Sequence, residues 1–377
     1  MASTPVQGDR PYWLAWSQIP GLGSVLLQRL AERFGSLGEA WVQPLTEIGR
    51  VEAIGPSLLE TIGATRPNIK PAIFLFHHMQ HNPQFWTPAD ADYPRLLLES
   101  HSFPPVVYYQ GVVDVAENQG LRPMVAIVGT RSPSEYGRRW TRKLTTILIQ
   151  QGFTIVSGLA QGIDTEAHRT CIELGGRTIA VLGTGVDVVY PYRNRALYGQ
   201  IQQVGLGISE YPTGTLPDRQ HFPRRNRIIA GLCRAILVME APLQSGALIT
   251  ANLANEDGRD IYVLPGSLDN PSALGCLGLI NKGAQVILGE DHLLEMLGAM
   301  PHYRPNLAEQ LSLLTPPPPD LDPELQSILQ IVATDPLPFD VIIQKTQLST
   351  ATIASGLLQL ELMGLITQIP GMRYQRC

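Results

Sequence analysis

Seven short apolar runs occupy the middle of the chain, each five to seven residues long and most of them followed by a glycine-containing turn. Runs of this length with few polar positions are typical of parallel strands that are covered on both faces. The segments between them, such as Ser134 to Gly152, read as helices. The pattern therefore predicts a doubly wound α/β sheet of mostly parallel strands. The predicted strands are residues 124–129, 153–158, 177–183, 206–210, 234–240, 260–266 and 285–289.

Residues 1–66 instead predict a small domain of short helices. Two hydrophobic–glycine–hydrophobic turns, beginning at Ile19 and at Ala53, precede helical segments. Such turns resemble helix-hairpin-helix or SAM-like units, in which backbone amides can meet a phosphate. Because the local charge is −1, a plain helical bundle is favoured over a DNA clamp.

Residues 67–120 form a proline- and aromatic-rich connector that joins the sheet domain, and Tyr93–Ser100 and Pro104–Gly111 are expected to add an edge strand. His77 and His81 have the helical spacing of metal ligands. The intervening Met79 and Gln80 supply no third ligand or base, so a solvated helix face is the favoured interpretation and no metal site is predicted.

The sheet domain is predicted over residues 121–300 and is followed by a proline-rich linker over 301–320. Residues 321–377 have the order helix, helix, turn, helix, hairpin, which resembles a winged helix. The helix that would read DNA, Thr350–Met363, contains one Glu and no Arg or Lys. Base reading needs hydrogen-bond donors, so a protein-docking module is the favoured interpretation, with DNA reading as the alternative.

Length and composition narrow the class of protein. A chain of 377 residues is expected to hold two or three domains, and no apolar run approaches the ~18 residues that a membrane span needs. The N-terminus lacks the layout of a secretion signal, and the four cysteines show neither CxxC spacing nor a disulfide framework. These features predict a cytoplasmic protein without membrane association.

The charge is distributed unevenly along the chain, although the net charge is only −5. Residues 121–234 carry 15 Arg and Lys against 7 Asp and Glu, whereas residues 235–300 carry 2 against 8. Of the 28 basic residues 24 are Arg, whose planar guanidinium binds phosphate oxygens in pairs. The segments Arg219–Arg234 and Arg131–Lys143 each contain five basic residues, which suits a polynucleotide better than a mononucleotide.

Four glycine- and hydroxyl-rich turns follow predicted strands, and in an open parallel sheet such turns meet at one edge. They are Gly129–Gly137, Ser157–Asp164, Gly183–Asp187 and Gln244–Thr250. Glycine allows a backbone to approach an oxyanion closely, so anion binding is predicted there. The Walker A loop and the GxGxxG turn are both missing, so neither ATP hydrolysis of that type nor a dinucleotide cofactor is expected.

Individual residues of this edge can be ranked from the sequence. A helix starting near Phe222 predicts that Arg225 and Arg227 reach the edge ahead of Arg224. Four aromatic side chains either stack on bases or pack within loops: His221, Phe222, Tyr190 and Tyr192. Asp164 and His168 share a helix face, but the set lacks a nucleophile or metal partner, so a helix-capping Asp and a packed His are preferred over a catalytic site.

These residues belong to a series of motifs that resembles the DNA-processing protein A (DprA/Smf) family. VGTR, SGLAQGIDTEAH, GTGVDVVYP, SEYPTGT, FPRRNRIIAGL, SGALITANLA and VLPGSL occur in the order in which that family has them. The resemblance implies an extended Rossmann-like fold and a non-enzymatic, homodimeric protein. It also implies that the protein binds and protects single-stranded DNA without base specificity and loads the RecA recombinase in natural transformation (competence).

The same resemblance implies which residues bind DNA. They are Gly129, Thr130, Arg131, Gly158, Arg224, Arg225, Asn226, Arg227, Ser245, Gly246 and Lys282. Gln161 stands where the family often has Arg, and Leu277 stands where Asn or His is usual, so one contact is lost and a second is in doubt. The alternative is a nucleotide-processing enzyme of the phosphoribohydrolase type, but the glutamate-bearing PGGxGTxxE turn of those enzymes is replaced here by Gln244–Glu256.

Overall fold

The computed structural model of the protein describes residues 8–298, 322–332, 337–346, 348–362, 365–369 and 373–376. The chain separates into two compact units, Met1–Tyr303 and Arg304–Cys377. The linker predicted over residues 301–320 lies outside the described residues, and so do Met363 and Cys377.

The first unit combines a helical N-terminal part with a large α/β part. Its helices are α1 (Arg10–Trp16), α2 (Ser24–Phe34), α3 (Leu37–Val42), α4 (Leu45–Ile48), α5 (Pro56–Thr65), α6 (Pro71–His81), α7 (Arg95–Leu98), α8 (Val115–Asn118), α9 (Glu135–Gln150), α10 (Ile163–Glu173), α11 (Arg195–Val204), α12 (His221–Leu232), α13 (Gly246–Glu256), α14 (Leu274–Ile280) and α15 (Glu290–Gly298). Its strands are β1 (Phe85–Trp86), β2 (Val107–Gly111), β3 (Met124–Val128), β4 (Thr154–Ser157), β5 (Thr178–Leu182), β6 (Leu206–Ser209), β7 (Ala235–Val238), β8 (Asp260–Val263) and β9 (Gln285–Val286).

The nine strands form one sheet in the order β1-β2-β6-β5-β4-β3-β7-β8-β9. The seven strands from β3 to β9 are parallel, and β1 and β2 add an antiparallel edge. The predicted doubly wound, mostly parallel sheet is therefore confirmed. Each of the seven predicted runs contains a strand.

Helices cover both faces of the sheet because successive strand residues point to opposite sides. On β3, Val125 and Ile127 pack in the core beneath α9 and α10. Met124, Ala126 and Val128 pack in the core beneath α12 and α13. Burial on both faces explains why these strands appear in the sequence as continuous apolar runs.

The connector differs in part from its prediction. Pro104–Gly111 supplies the edge strand β2, as expected. Tyr93–Ser100 supplies no strand, which corrects the prediction: it contains the single helical turn α7, where Leu96 and Leu97 are buried. Alternate apolar residues cannot be recognised in the run RLLLES, and a helical turn buries adjacent leucines more readily than an edge strand.

A buried ion pair ties the connector to the sheet. The guanidinium of Arg177 donates from Nε and Nη2 to the two carboxylate oxygens of Glu117, at 2.6 and 2.9 Å. The hydroxyl of Thr154 donates to the same carboxylate at 2.5 Å. Glu117 is 1% exposed, so its charge depends on these partners.

The second unit contains α16 (Pro323–Ile331), β10 (Leu337–Pro338), α17 (Phe339–Thr346), α18 (Thr350–Leu362), β11 (Ile366–Ile369) and β12 (Arg373–Arg376). Its three strands form an antiparallel sheet in the order β10-β12-β11. Ile328, Ile342, Ile353 and Leu357 form the centre of its core. This is the predicted order of a winged helix, and α18 occupies the position of the recognition helix. Its role in protein docking stays a prediction.

Candidate nucleic-acid interface

A cleft opens at the point where the strand order reverses. The chain continues from β3 to β4 on one side and returns to β7 on the other, so the turns after β3 and β7 leave the sheet in different directions. This point is where parallel α/β sheets bind ligands. The cleft has a volume of about 670 Å³ and is lined by the turns after β3, β4 and β7 together with the first turns of α12 and α13. Glycine-rich turns that are distant in sequence therefore meet at one site.

The turn after β3 is held in place by Glu240, at the carboxyl end of β7. Thr130 donates its backbone N–H to the carbonyl oxygen of Glu240 at 2.7 Å. The backbone N–H and the hydroxyl of Ser134 donate to the Glu240 carboxylate at 2.8 and 2.5 Å. Glu240 is 3% exposed, whereas Arg131, at the tip of this turn, is exposed. The buried carboxylate thus fixes the turn and leaves the guanidinium of Arg131 accessible.

The turn after β4 depends on glycine and on a buried aspartate. Gly162 has φ +89°, and a Cβ there would overlap the carbonyl oxygen of Thr130 and lie 2.7 Å from the carbonyl carbon of Arg131. Asp164 accepts hydrogen bonds from the backbone N–H groups of Gly158 and Ala160 at 3.1 and 3.3 Å. The two turns therefore touch each other, and neither can move independently.

Arg225 lies inside the wall of the cleft rather than on its surface. The residue is 5% exposed, and its guanidinium donates to the carbonyl oxygens of Gly158, at 2.6 Å, and Val181. Burial lowers the pKa of Arg225 to about 10, and the charge of Asp164 opposes that shift. The predicted order, in which Arg225 and Arg227 precede Arg224, is wrong for accessibility.

The environments of Arg227 and Arg224 also contradict the predicted order of accessibility. Arg227 donates to the carboxylate of Glu210 and to the carbonyl oxygen of Ser102, so its charge is already paired. Arg224 is exposed. On α12 the buried side chains Ile228 and Ile229 lie three and four residues after Arg225. This helical spacing places Arg225 on the buried face, a signal that was present in the sequence.

The N-terminus of α13 forms the opposite wall. The hydroxyl of Ser245 accepts the backbone N–H of Ala247 at 3.2 Å and caps the helix. Asn226 donates from its side-chain amide to the carbonyl oxygen of Gly246 at 3.3 Å, which links α12 to this wall. Gly246 is exposed, and a Cβ there would meet no atom within 4 Å. The positive end of the helix dipole therefore lies at the cleft.

The cleft has a smaller side compartment of about 100 Å³, which shares Arg131, Tyr190, Phe222 and Arg225 with it and adds Arg193. The rings of Tyr190 and Phe222 lie 5.3 Å apart and are tilted by 37°. Tyr190 and Tyr192 are 45% and 72% exposed, whereas His221 stacks on Tyr211 at 3.9 Å. Tyr190 and Phe222 thus lie at the junction of the two spaces.

The cleft gathers most of the predicted site residues but not all of them. Gly129, Thr130, Arg131, Arg225, Asn226, Ser245 and Gly246 line it. Gly158 lines only the side compartment, and Arg224, Arg227 and Lys282 line neither space. Arg219 lines the cleft and is exposed. Sequence reasoning did not select it, although it begins the basic segment Arg219–Arg234. Among the lining residues, Asp164 is the sole carboxylate beside three arginines.

Asp164 and His168 have structural partners. The prediction that Asp164 caps α10 is wrong, because Gly162 occupies the N-cap position. The Nδ1 atom of His168 lies 2.7 Å from the hydroxyl of Thr178, and its Nε2 is buried without a hydrogen-bond partner. Burial lowers the pKa of His168 to about 3, and Arg225 adds to the shift. His168 is therefore neutral in the folded protein at neutral pH.

This neutral histidine predicts a loss of stability in mild acid. In the unfolded chain His168 has a pKa of about 6.5 and is protonated below that pH. In the folded protein the same imidazole stays neutral down to about pH 3. Stability should fall with a slope approaching ~1.4 kcal/mol per pH unit over that window. In urea unfolding at pH 7 and pH 5, wild type should lose about 2 kcal/mol more than His168→Gln. His77→Gln, at an exposed position of α6, should respond as wild type does. Equal pH responses of wild type and His168→Gln would contradict the assignment.

The described part of the chain contains neither a cluster of three metal-binding side chains nor a helix long and apolar enough to cross a membrane. An open, mostly parallel sheet with an arginine-lined, glycine-rich cleft at its switch point defines a protein of the Rossmann-like class. The chain belongs to the DNA recombination-mediator protein A family: the family model so described matches residues 84–298. A second model, the DprA winged helix domain, matches residues 313–372.

Individual relatives agree with this assignment. The chain is 50% identical over 393 residues to Protein Smf from Synechocystis sp., covering 98% of this chain and 99% of that protein. The X-ray structure of DNA processing protein A from Streptococcus pneumoniae has a TM-score of 0.65 and 35% identity, covering 76% of this chain and 97% of that one. The protein of the same name from Helicobacter pylori, whose structure is described for its single-stranded DNA binding mode, has a TM-score of 0.51 and 30% identity, covering 57% of this chain and 95% of that one.

Proposed function

We propose that this protein binds single-stranded DNA without base specificity, along the cleft at the switch point of the sheet. The observation that carries the proposal is the meeting of two exposed arginines, Arg131 and Arg219, with the N-terminus of α13 at one open cleft. Membership of the family and the single-stranded DNA binding mode described for the Helicobacter pylori relative support it.

Phosphates supply most of the binding energy in this proposal. Arg131 and Arg219 are exposed and line the cleft, so their guanidinium groups contact the backbone of the strand in charge-assisted hydrogen bonds. The exposed Gly246 lets a phosphate approach the amides at the start of α13. Arg224, exposed on the adjoining turn of α12, extends the track. Gly129 and Thr130 line the cleft and shape its wall.

The strand continues into the side compartment. Arg193 lines that space and is exposed, and Tyr190 offers a half-exposed ring at the junction. A base that stacks on an aromatic ring is held without being identified, since every base has a π face. The arrangement favours contacts to phosphate and stacking over the paired hydrogen bonds that read base edges.

The protein acts in the recombination of incoming DNA in this proposal. It protects single strands and loads the RecA recombinase during natural transformation, as a homodimer and without catalysis. The pairing of Asp164 with backbone amides and of His168 with Thr178 supports the non-enzymatic assignment, because both groups serve the fold. The acidic winged helix offers a docking surface for protein, while residues 121–300 carry the DNA.

Salt dependence tests DNA binding. Affinity for a labelled oligothymidylate and for a mixed-sequence strand should be similar, and each should fall on a log–log plot with a slope of about −0.7 per phosphate contacted. The measurement is fluorescence anisotropy between low and moderate salt, with a duplex for comparison. A flat salt response, or strong preference for one base, would contradict the proposal.

Arg131→Ala should weaken binding of every single strand about tenfold, the size expected for one charge-assisted contact. The slope should become shallower by about 0.7, since one phosphate is no longer neutralised. Arg169→Ala removes the same charge from an exposed position on α10 outside the cleft and should change affinity little. Equal losses in the two variants would mean that net charge, rather than the cleft, controls binding.

The volume of the cleft also fits a small molecule, which keeps a nucleotide-processing enzyme as the second candidate. That activity requires a positioned catalytic carboxylate, and Glu256, at the end of α13, does not line the cleft. Incubation with nucleoside monophosphates decides between the two. Release of free base would establish the enzyme, and a lack of turnover together with strand binding would favour the binder.

A further inference from the structure

A buried network lies directly behind the accessible surface of the cleft. Arg225, on α12, donates to carbonyl oxygens at the carboxyl end of β4 and of β5, namely those of Gly158 and Val181. Asp164, on α10, accepts the backbone N–H groups of Gly158 and Ala160. The carbonyl and the N–H of Gly158 are thus held from two sides by side chains of opposite charge. Arg225 and Asp164 are 5% and 6% exposed.

We propose that Arg225 and Asp164 are positioning residues that set the width of the cleft and the place of its DNA-binding groups, without contacting phosphate themselves. The inference rests on the proposed function. Arg225 joins α12, which carries Phe222 and Asn226 into the cleft, to the turn after β4. That turn in turn touches Thr130, beside Arg131. Arg225 therefore connects α12 to both glycine-rich turns, and Asn226 continues the link to the N-terminus of α13 on the opposite wall.

Because Arg225 and Asp164 are both buried, the charge of each stabilises the charge of the other. An ionised group away from water is costly unless it is paired and hydrogen-bonded. Burial raises the pKa of Asp164, and the charge of Arg225 opposes this shift. Loss of either charge leaves the other uncompensated inside the wall. The backbone at Gly158 must then rearrange.

A positioning role and a purely electrostatic role predict opposite changes in DNA affinity when Asp164 is neutralised. If Asp164 acted only as a negative charge beside a polyanion, Asp164→Asn would strengthen DNA binding, because repulsion is removed. If it positions the turn, the Asn side chain still offers one oxygen to the N–H groups of Gly158 and Ala160, which both bind a single carboxylate oxygen. The buried guanidinium of Arg225 then has no counter-charge beside it, and the turn is displaced. Binding then weakens although the local charge becomes more favourable.

The experiment measures single-strand affinity and its salt slope for the full chain. We expect Asp164→Asn to bind about tenfold or more weakly than wild type. Asp218→Asn is the matched control: it removes one negative charge beside Arg219 from an exposed loop, and it should bind as tightly as wild type or more tightly. Tighter binding by Asp164→Asn would overturn the positioning role.

Gly158→Ala gives a second test that leaves every charge in place. A Cβ at Gly158 would lie 2.7 to 2.8 Å from the guanidinium atoms of Arg225, so the methyl group must push that side chain aside. We expect weaker binding with the salt slope of wild type. If circular dichroism shows that Asp164→Asn is unfolded, Gly158→Ala still tests the proposal. Affinity unchanged in a folded Gly158→Ala would overturn the proposal.

Arg225→Lys separates positioning from a role that needs only the positive charge. Lysine keeps the charge but cannot span two carbonyl oxygens with a planar group. Positioning predicts a loss of affinity that matches Asp164→Asn. Affinity equal to wild type would mean that only the charge matters and would overturn the proposal. Absence of DNA binding by wild type itself would instead overturn the proposed function, so the two failures are distinguishable.

Discussion

Gly162→Ala is expected to destabilise the protein by about 2 to 5 kcal/mol. Gly162 has φ +89°, where an L-residue costs roughly 1 to 2 kcal/mol. The added Cβ also overlaps the carbonyl oxygen of Thr130, and overpacking against a rigid neighbour costs roughly 1 to 3 kcal/mol more. Urea unfolding measures the loss. Because the clash displaces the turn that carries Arg131, single-strand affinity should fall as well.

Gly175→Ala is the matched control for that effect. Gly175 follows α10 with φ +68°, and a Cβ there meets no atom within 4 Å. It also has a positive φ but lacks the clash, so only about 1 kcal/mol should be lost and DNA affinity should be retained. If the two variants were equally unstable, contact between the two turns would not be what makes glycine necessary at position 162.

Glu117→Ala is expected to cost about 3 to 5 kcal/mol, the range for breaking a buried ion pair by removing one partner. The substitution leaves the guanidinium of Arg177, whose side chain is 13% exposed, without its carboxylate. The hydroxyl of Thr154 also loses its acceptor. Equilibrium unfolding in urea measures the loss. The double variant Glu117→Leu with Arg177→Met should recover much of it, because neither charge then remains buried alone.

Glu52→Ala provides the comparison at the surface. Its carboxylate lies 3.6 Å from Arg29 with the Glu52 side chain 84% exposed, and exposed pairs of this kind contribute about 0 to 1 kcal/mol. A loss for Glu117→Ala no greater than that for Glu52→Ala would show that solvent reaches Arg177 freely. The connector would then be held by apolar packing of strand β2 instead.

The linear pattern was sufficient for the sheet and for the location of the cleft. Strands β3 to β8 are buried on both faces, so each is a short apolar run that needs no knowledge of its neighbours to be recognised. Glycine-rich turns must follow such strands at their carboxyl ends, and parallel strands bring those ends together. Arg131, Ser245 and Gly246 could therefore be assigned to one edge from their order alone.

Whether an arginine is free to contact DNA depends on its contacts with distant segments of the chain. Arg227 is paired with Glu210, seventeen residues before it, and Arg177 with Glu117, sixty residues before it. Such pairs leave no local periodicity. Arg225 is a partial exception, because its spacing from Ile228 and Ile229 on α12 already marked it as inward-facing. The basic residues around Arg225 nevertheless led to the wrong prediction that its side chain is accessible.

Apolar periodicity records which residues must leave water, and that requirement acts on each segment separately, so strands, helices and their order follow from the amino-acid sequence. Whether a charged side chain faces solvent or a buried partner depends on which remote groups the folded chain brings within a few ångströms of it. Electrostatic pairing is therefore a property of the assembled sheet and its turns. For this protein it separates the arginines that can meet DNA from those that hold the cleft open.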